Sequence, residues 1–357
     1  MKSRVFFTEL KSNETTHLTA QKIQSLFNEA ALGDCITRND LTAVKMHFGE
    51  KGNETHISPD LVRPVVQEIR KHDAKPFLTD TCVLYKSQRD NAVDHLSLAH
   101  EHGFTLERTG APVIIADGLI GHLEKTVPIP GKLFKEVSIS SLASEVNSLI
   151  VLTHVTGHMG TGIGGAIKNI GMGFASRKGK LRQHSVMKPA ISSKKCTGCE
   201  LCVQWCPEDA ISMSDEIAYI DSKKCIGCGE CLTVCRFDAV QYDWRVSEKD
   251  LQIRMAEHAL GVTHAKSEKI GYMNFMISIT KDCDCIAKGQ NPVLPDIGIL
   301  ASTDPVAIDA ASLNIILDKT GKSLTDVSYP RVDPWAQIKH GEAIGLGKTD
   351  YDLVEVE

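Results

Sequence analysis

The stretch that decides the architecture is Lys194-Lys195-Cys196-Thr197-Gly198-Cys199-Glu200-Leu201-Cys202-Val203-Gln204-Trp205-Cys206-Pro207, echoed by Lys223-Lys224-Cys225-Ile226-Gly227-Cys228-Gly229-Glu230-Cys231-Leu232-Thr233-Val234-Cys235-Arg236. Both copies space their cysteines as C-x-x-C-x-x-C-x-x-x-C, and both run on into Asp-Ala-Ile or Asp-Ala-Val, at Asp209–Ile211 and Asp238–Val240. Three thiolates at i, i+3 and i+6 on a tightly curved loop can reach three irons of one cubane while backbone N–H groups turn toward its sulfurs. Gly198 and Gly227 suit that curvature, since glycine tolerates backbone angles that other residues avoid. Zinc asks for four thiolates, or thiolates with imidazoles, in two widely separated pairs, a pattern that two tight quartets fit poorly.

Eight of the twelve cysteines lie in these two runs, whereas Cys35, Cys82, Cys283 and Cys285 are scattered. The opening segment Met1–Glu9 lacks the apolar stretch of a secretory signal, and no apolar run approaches the length of a membrane span, so the chain is read as cytoplasmic. In that reducing compartment disulfides are disfavoured and iron–sulfur ligation explains the cysteine count better. A length of 357 residues predicts two or three structural units, and 42 % apolar with 24 % charged residues is ordinary for a folded protein. The formal charge of -5, from 45 acids against 40 bases, leaves no basic footprint for nucleic acid.

Outside the cysteine runs, short β-rich stretches alternate with helical ones, the pattern of a mainly parallel α/β sheet. Strands are expected at Val5–Phe7, Ala43–Phe48, Pro76–Thr79, Val113–Ala116 and Leu149–Thr153, then at Tyr272–Ile279 and Ile297–Ala301. Helices are expected at Pro59–Lys71, capped by Ser58, and at Arg89–His102, Ser247–Leu260 and Asp304–Leu317. The α/β pattern resumes after the cysteines. The expectation is therefore an α/β host domain in two parts, 1–189 and 244–357, interrupted by a smaller α+β insertion over 190–243, with boundaries near Pro189 and Asp243. Three consecutive domains are the alternative.

The host carries its own candidate site. His154-Val-Thr-Gly157-His158-Met-Gly160-Thr-Gly162-Ile-Gly164-Gly165-Ala-Ile-Lys168 follows the Leu149–Thr153 strand and opens a helix. Such a turn can offer N–H groups and a positive dipole end to a small anion, with Lys168 as counter-charge; close backbone packing is the other reading. It fits neither the dinucleotide fingerprint nor the P-loop, so a flavin, a metal or a phosphate-bearing ligand all stay open. Lys45, His47, Asp80, Thr81, Asp117 and Gly118 stand at the C-terminal ends of expected strands, where open α/β sheets bind ligands. In Asp282-Cys283-Asp284-Cys285 an extended backbone would put both thiols on one side, as an additional metal site or a redox pair, or simply as two reduced thiols. The basic run Arg177, Lys178, Lys180 and Arg182 reads as a solvated loop or a patch for an acidic partner.

The cysteine runs closely resemble bacterial-type ferredoxins with two [4Fe-4S] clusters, over roughly fifty residues. In that type the fourth cysteine of each run ligates the other cluster. The resemblance thus implies one cluster on Cys196, Cys199, Cys202 and Cys235, and a second on Cys225, Cys228, Cys231 and Cys206. Arg236 stands where the type usually has proline. From Ser193 to Asp243 there are nine acids against five bases, which reads as a face for a redox partner protein or as a solvated surface.

The whole chain resembles the family called domain of unknown function 362. The resemblance rests on Lys45–Glu50, Phe77–Thr81 with Tyr85 and Arg89, Ala116–Gly118, Gly164–Gly173, Cys283–Cys285 and Asp304–Asp309. It implies iron–sulfur binding and an α/β host, without a reaction. A fainter resemblance is to nickel-pincer lactate racemases, where His and Gly-Gly-x-Lys follow a strand; here Gly164-Gly165-x-x-Lys168 is one residue longer. Three functions follow as expectations: an iron–sulfur oxidoreductase with its substrate in the host, a ferredoxin-type carrier docking a partner, and a reductive activator or metal-handling protein.

Overall fold

The computed structural model describes residues 2–11, 14–184, 188–242, 247–266 and 269–357. An eight-stranded sheet runs, edge to edge, through Tyr351–Glu355, Ser3–Glu9, Gly298–Ser302, Ile270–Met276, Ser148–His154, Leu41–Lys45, Lys75–Asp80 and Val113–Ile115. Gly298–Ser302 is antiparallel to both neighbours; all other pairings are parallel.

Both faces of the sheet are covered, which is why the central strands read as continuous apolar runs. Along Ser148–His154, buried at every position, Leu149 and Val151 enter one core while Ile150 and Leu152 enter the other. The Pro59–Lys71 helix begins and ends where expected: Ser58 Oγ accepts from the Asp60 amide, Pro59 takes the first position, and Arg70 and Lys71 close the last turn. Strand pairing stops at Lys45 rather than Phe48, so Met46, His47 and Phe48 belong to a loop over the sheet end. The helix expected from Arg89 begins at Ala92, capped by Asn91.

Between the helices Arg177–His184 and Glu248–Lys266 the cysteine segment folds into two small antiparallel sheets. Ile211–Ser214 pairs with Ile217–Ile220, and Ala190–Ile191 with Val240–Gln241. Strands from both sides of this segment enter one large sheet, so it is a small insert in the α/β chain. Pro189 directly precedes its first strand; Asp243, the other expected boundary, lies outside the described residues. The insert has its own core of Ile211, Ala218, Cys231, Leu232 and Val240, completed by Leu84 and Leu181 of the host.

The basic run does not form a solvated loop. It is the Arg177–His184 helix, with Arg177 and Lys180 buried. Arg177 ties insert to host by donating to the carbonyls of Thr233 (3.3 Å), Leu84 (3.4 Å) and Ile120 (3.4 Å). Lys180 Nζ reaches Thr81 Oγ1 at 2.6 Å, while Lys178 pairs with Glu124 at 2.8 Å. Among the described residues no helix is long and apolar enough to cross a membrane.

Candidate functional site

The two cysteine runs close on two separate hollows. One is lined by Cys196, Cys199, Cys202 and Cys235. The other is lined by Cys225, Cys228, Cys231 and Cys206. Each hollow therefore takes three sulfurs from one run and the fourth from the other. Gly198 and Gly227 have φ of +69° and +71°, in the left-handed region, so a side chain at either would strain the curve that turns the sulfurs inward. The two halves repeat in detail: the amide of Ala210 points at Cys206 Sγ (3.2 Å) and that of Ala239 at Cys235 Sγ (3.4 Å). Burial and then neighbouring thiols raise the Cys202 pKa, and push that of Cys231 up to about 12. Such crowded thiols need a positive centre to ionise together.

The second site is a cavity of about 370 Å³ over the C-terminal ends of the parallel strands. Lys45, Asp80 and His154 are each the last residue of a strand, so the sheet delivers all three to one place. With them, Thr81, His47, His158, Gly164, Gly165, Lys168, Cys283 and Cys285 line the cavity. Asp117 does not line it; its buried carboxylate accepts from the Cys82 amide at 3.0 Å.

Several of these groups are committed to one another. Lys45 Nζ pairs with Asp80 Oδ1 at 2.9 Å and donates to Asn169 Oδ1 at 2.9 Å. Burial alone would raise the Asp80 pKa, but the Lys45 charge, with His47, His95 and Arg89 behind it, holds the carboxyl well below the usual range. His154 Nδ1 lies 3.0 Å from Asp284 Oδ1, and its Nε2 lies 2.8 Å from the Ile277 carbonyl. Both ring nitrogens face acceptors, so His154 carries both protons. Burial opposes that charge, yet Asp284 raises the His154 pKa and is itself drawn down to about 2.

The helix expected to meet an anion is already capped from within. Asp309, from the Pro305–Thr320 helix, accepts from the amides of Ala166 (2.7 Å) and Ile167 (3.0 Å). A Cβ at Gly165 would stand 2.4 Å from Asp309 Oδ1, so this glycine is there to let the carboxylate in. Close packing rather than free amides explains the Gly-Gly pair, and Lys168 projects into the cavity as its own feature.

Cys283 and Cys285 sit on a turn, not on an extended strand, because the Ile286 amide bonds back to the Cys283 carbonyl at 3.1 Å. The turn is anchored from behind. Glu50 N–H donates to the Asp284 carbonyl at 2.9 Å, and Tyr85 OH donates to that of Cys285 at 3.3 Å. Arg89, buried, joins Tyr85 OH (2.6 Å) to Glu50 Oε2 (3.0 Å). A hydrogen bond from Cys285, and then Lys168 against the effect of burial, bring the Cys283 pKa down to about 6, while that of Cys285 rises. The Cys285 hydrogen bond and Lys168 thus favour the thiolate form at Cys283 over Cys285. Burial and Lys168 also push His158 down to about 3, leaving it neutral.

Sequence reasoning missed the roles of Asp284 and Asp309, because each acts on a residue more than a hundred positions away. It named Lys180 only within the basic run, although the folded helix brings its ammonium to the cavity wall. Among the described residues, no three or more His, Cys, Asp or Glu side chains are grouped so as to hold a single metal ion.

A mostly parallel α/β sheet with a cavity at its strand ends, bearing a cysteine-rich insert, defines the class. The chain belongs to the family described as Domain of unknown function (DUF362), which matches residues 42–314. No curated protein matches it. Among solved structures, the lactate racemase apoprotein from Thermoanaerobacterium thermosaccharolyticum is 12 % identical with a TM-score of 0.43, over 76 % of this chain and 50 % of that one. A protein from Thermotoga maritima is 7 % identical with a TM-score of 0.41, over 74 % and 51 %. The chain spans about half the length of each.

Proposed function

We propose that this chain is an iron–sulfur electron-transfer protein, an oxidoreductase whose insert holds two [4Fe-4S] clusters that serve a reactive site in the host cavity. The observation that carries the reading is the exchange of sulfurs: two hollows, each lined by four cysteines, three from one run and one from the other. The residues fit the group. Four sulfurs surround each hollow, and amides aimed at cysteine sulfur supply the hydrogen bonds that tune such centres. When bound, the clusters supply one-electron storage.

The placement of the insert supports a relay rather than a detached carrier. Leu84 contributes both to the cavity wall and to the insert core, and it lines a crevice with Cys235. Leu84 thus lines the host cavity and also the crevice that Cys235 lines. The host's own residues bind and position: the Lys45–Asp80 and His154–Asp284 pairs fix the cavity walls, and Lys168 offers a positive charge beside the thiols.

Protein prepared without oxygen should contain about eight irons and about eight acid-labile sulfides per chain. Zinc in place of iron, or iron without matching sulfide, would overturn the reading. Cys202→Ser and Cys231→Ser variants should each lose at least one cluster's share of iron.

A further inference from the structure

We propose that Cys283 and Cys285 are a two-electron dithiol/disulfide centre in the host cavity that exchanges electrons with the two clusters, an inference that rests on the electron-transfer reading above. The two sulfurs are held for each other. The turn closed by Ile286 N–H folds the chain between them, and both residues line the same cavity. A turn can bring residues two apart into the Cα separation of roughly 4.4–6.8 Å that a disulfide spans. The intervening Asp284 carboxylate does not separate them, since it turns away to His154.

The surroundings favour sulfur redox chemistry over a chelated cation. His47 is the nearest third donor, its Nε2 3.3 Å from Cys285 Sγ. Its Nδ1, however, accepts from the Gly49 amide at 2.9 Å, which puts the ring hydrogen on Nε2. A hydrogen, not a lone pair, is therefore aimed at the sulfur. Lys168 stands beside Cys283 as a fixed positive charge, which repels a metal ion and attracts a thiolate.

The electrons balance. On oxidation the Cys283 thiolate and the Cys285 thiol form one S–S bond and release two electrons, which two bound clusters would accept one each. The Cys285 proton passes to solvent, to which that residue is partly exposed. Re-reduction needs two electrons, one of which each bound cluster would return, and one proton from solvent. A pair of one-electron stores beside one two-electron centre gives each cluster a partner in the exchange.

The test is a reductive titration of the full chain after oxidation under anaerobic conditions, counting electrons taken up, with iron and sulfide measured in the same sample. Wild type should take up four electrons and a Cys283→Ser variant two. If the dithiol reading holds but the cluster reading fails, the counts become two and none, so the two failures are told apart. Equal uptake by wild type and variant overturns the proposal. Thiol trapping followed by mass measurement of the wild-type peptide containing both residues gives a second readout that no variant's folding can confound. It should lose two hydrogens on oxidation while Cys35 and Cys82, both buried, stay reduced; a peptide that stays a dithiol at every potential sinks the idea.

Discussion

The reactivity of Cys283 depends on two neighbours, the Cys285 hydrogen bond and the Lys168 ammonium. The thiolate is the nucleophile, so its alkylation rate should rise with pH through a midpoint near its pKa of about 6, whereas buried Cys82, its pKa raised by burial and then by Asp117, should not react. Replacing Lys168 with Ala should move that midpoint upward by about one pH unit. Measuring alkylation rate against pH checks both statements; an unmoved midpoint would show that the Cys285 hydrogen bond alone sets it. At this scale the sequence names Cys283, Cys285 and Lys168 as candidates. It cannot show that they meet, because their meeting depends on the turn after Met276 folding back over the sheet end.

At the scale of elements, the Ala166–Gly171 helix is set by Asp309. Truncation to Ala should leave two buried amides without a partner and cost about 2 kcal/mol of stability. Burial raises the Asp309 pKa to about 6, with the two amides and Asn274 working against it. The folded state thus holds this proton at a higher pH than the unfolded chain does. That contribution to stability is complete below the ordinary carboxyl value near 3.8 and is lost as pH rises through about 6. An Asp309→Asn variant should flatten that part of the profile, as followed by denaturant unfolding at several pH values. The Pro59–Lys71 helix was legible because cap, proline and basic end all lie within its own span. By contrast, the hairpin of Glu124–Pro128 with Glu136–Ser140 is mostly exposed on its first strand, which therefore carries no apolar pattern to read. The edge strand Tyr351–Glu355 escaped for the same reason.

For the whole molecule, the junction of insert and host is concentrated at Arg177, Leu84 and Leu181. Removing the Arg177 side chain frees three carbonyls and leaves a gap against Gly121. Scanning calorimetry of Arg177→Ala should show the insert unfolding in an earlier, separate transition, with the junction weakened by about 2 kcal/mol. The doubled cysteine spacing made the insert readable, and the resemblance to two-cluster ferredoxins supplied the grouping of its sulfurs, whereas the contact surface was hidden inside a run of basic residues that looked solvated. The order of strands carries a further consequence. Ser3–Glu9 lies beside Gly298–Ser302 and Tyr351–Glu355, and the turn bearing Cys283 and Cys285 is also translated after the insert. During synthesis the eight clustered thiols emerge while the sheet is still incomplete, so the insert can take shape before the final strands arrive and complete the cavity.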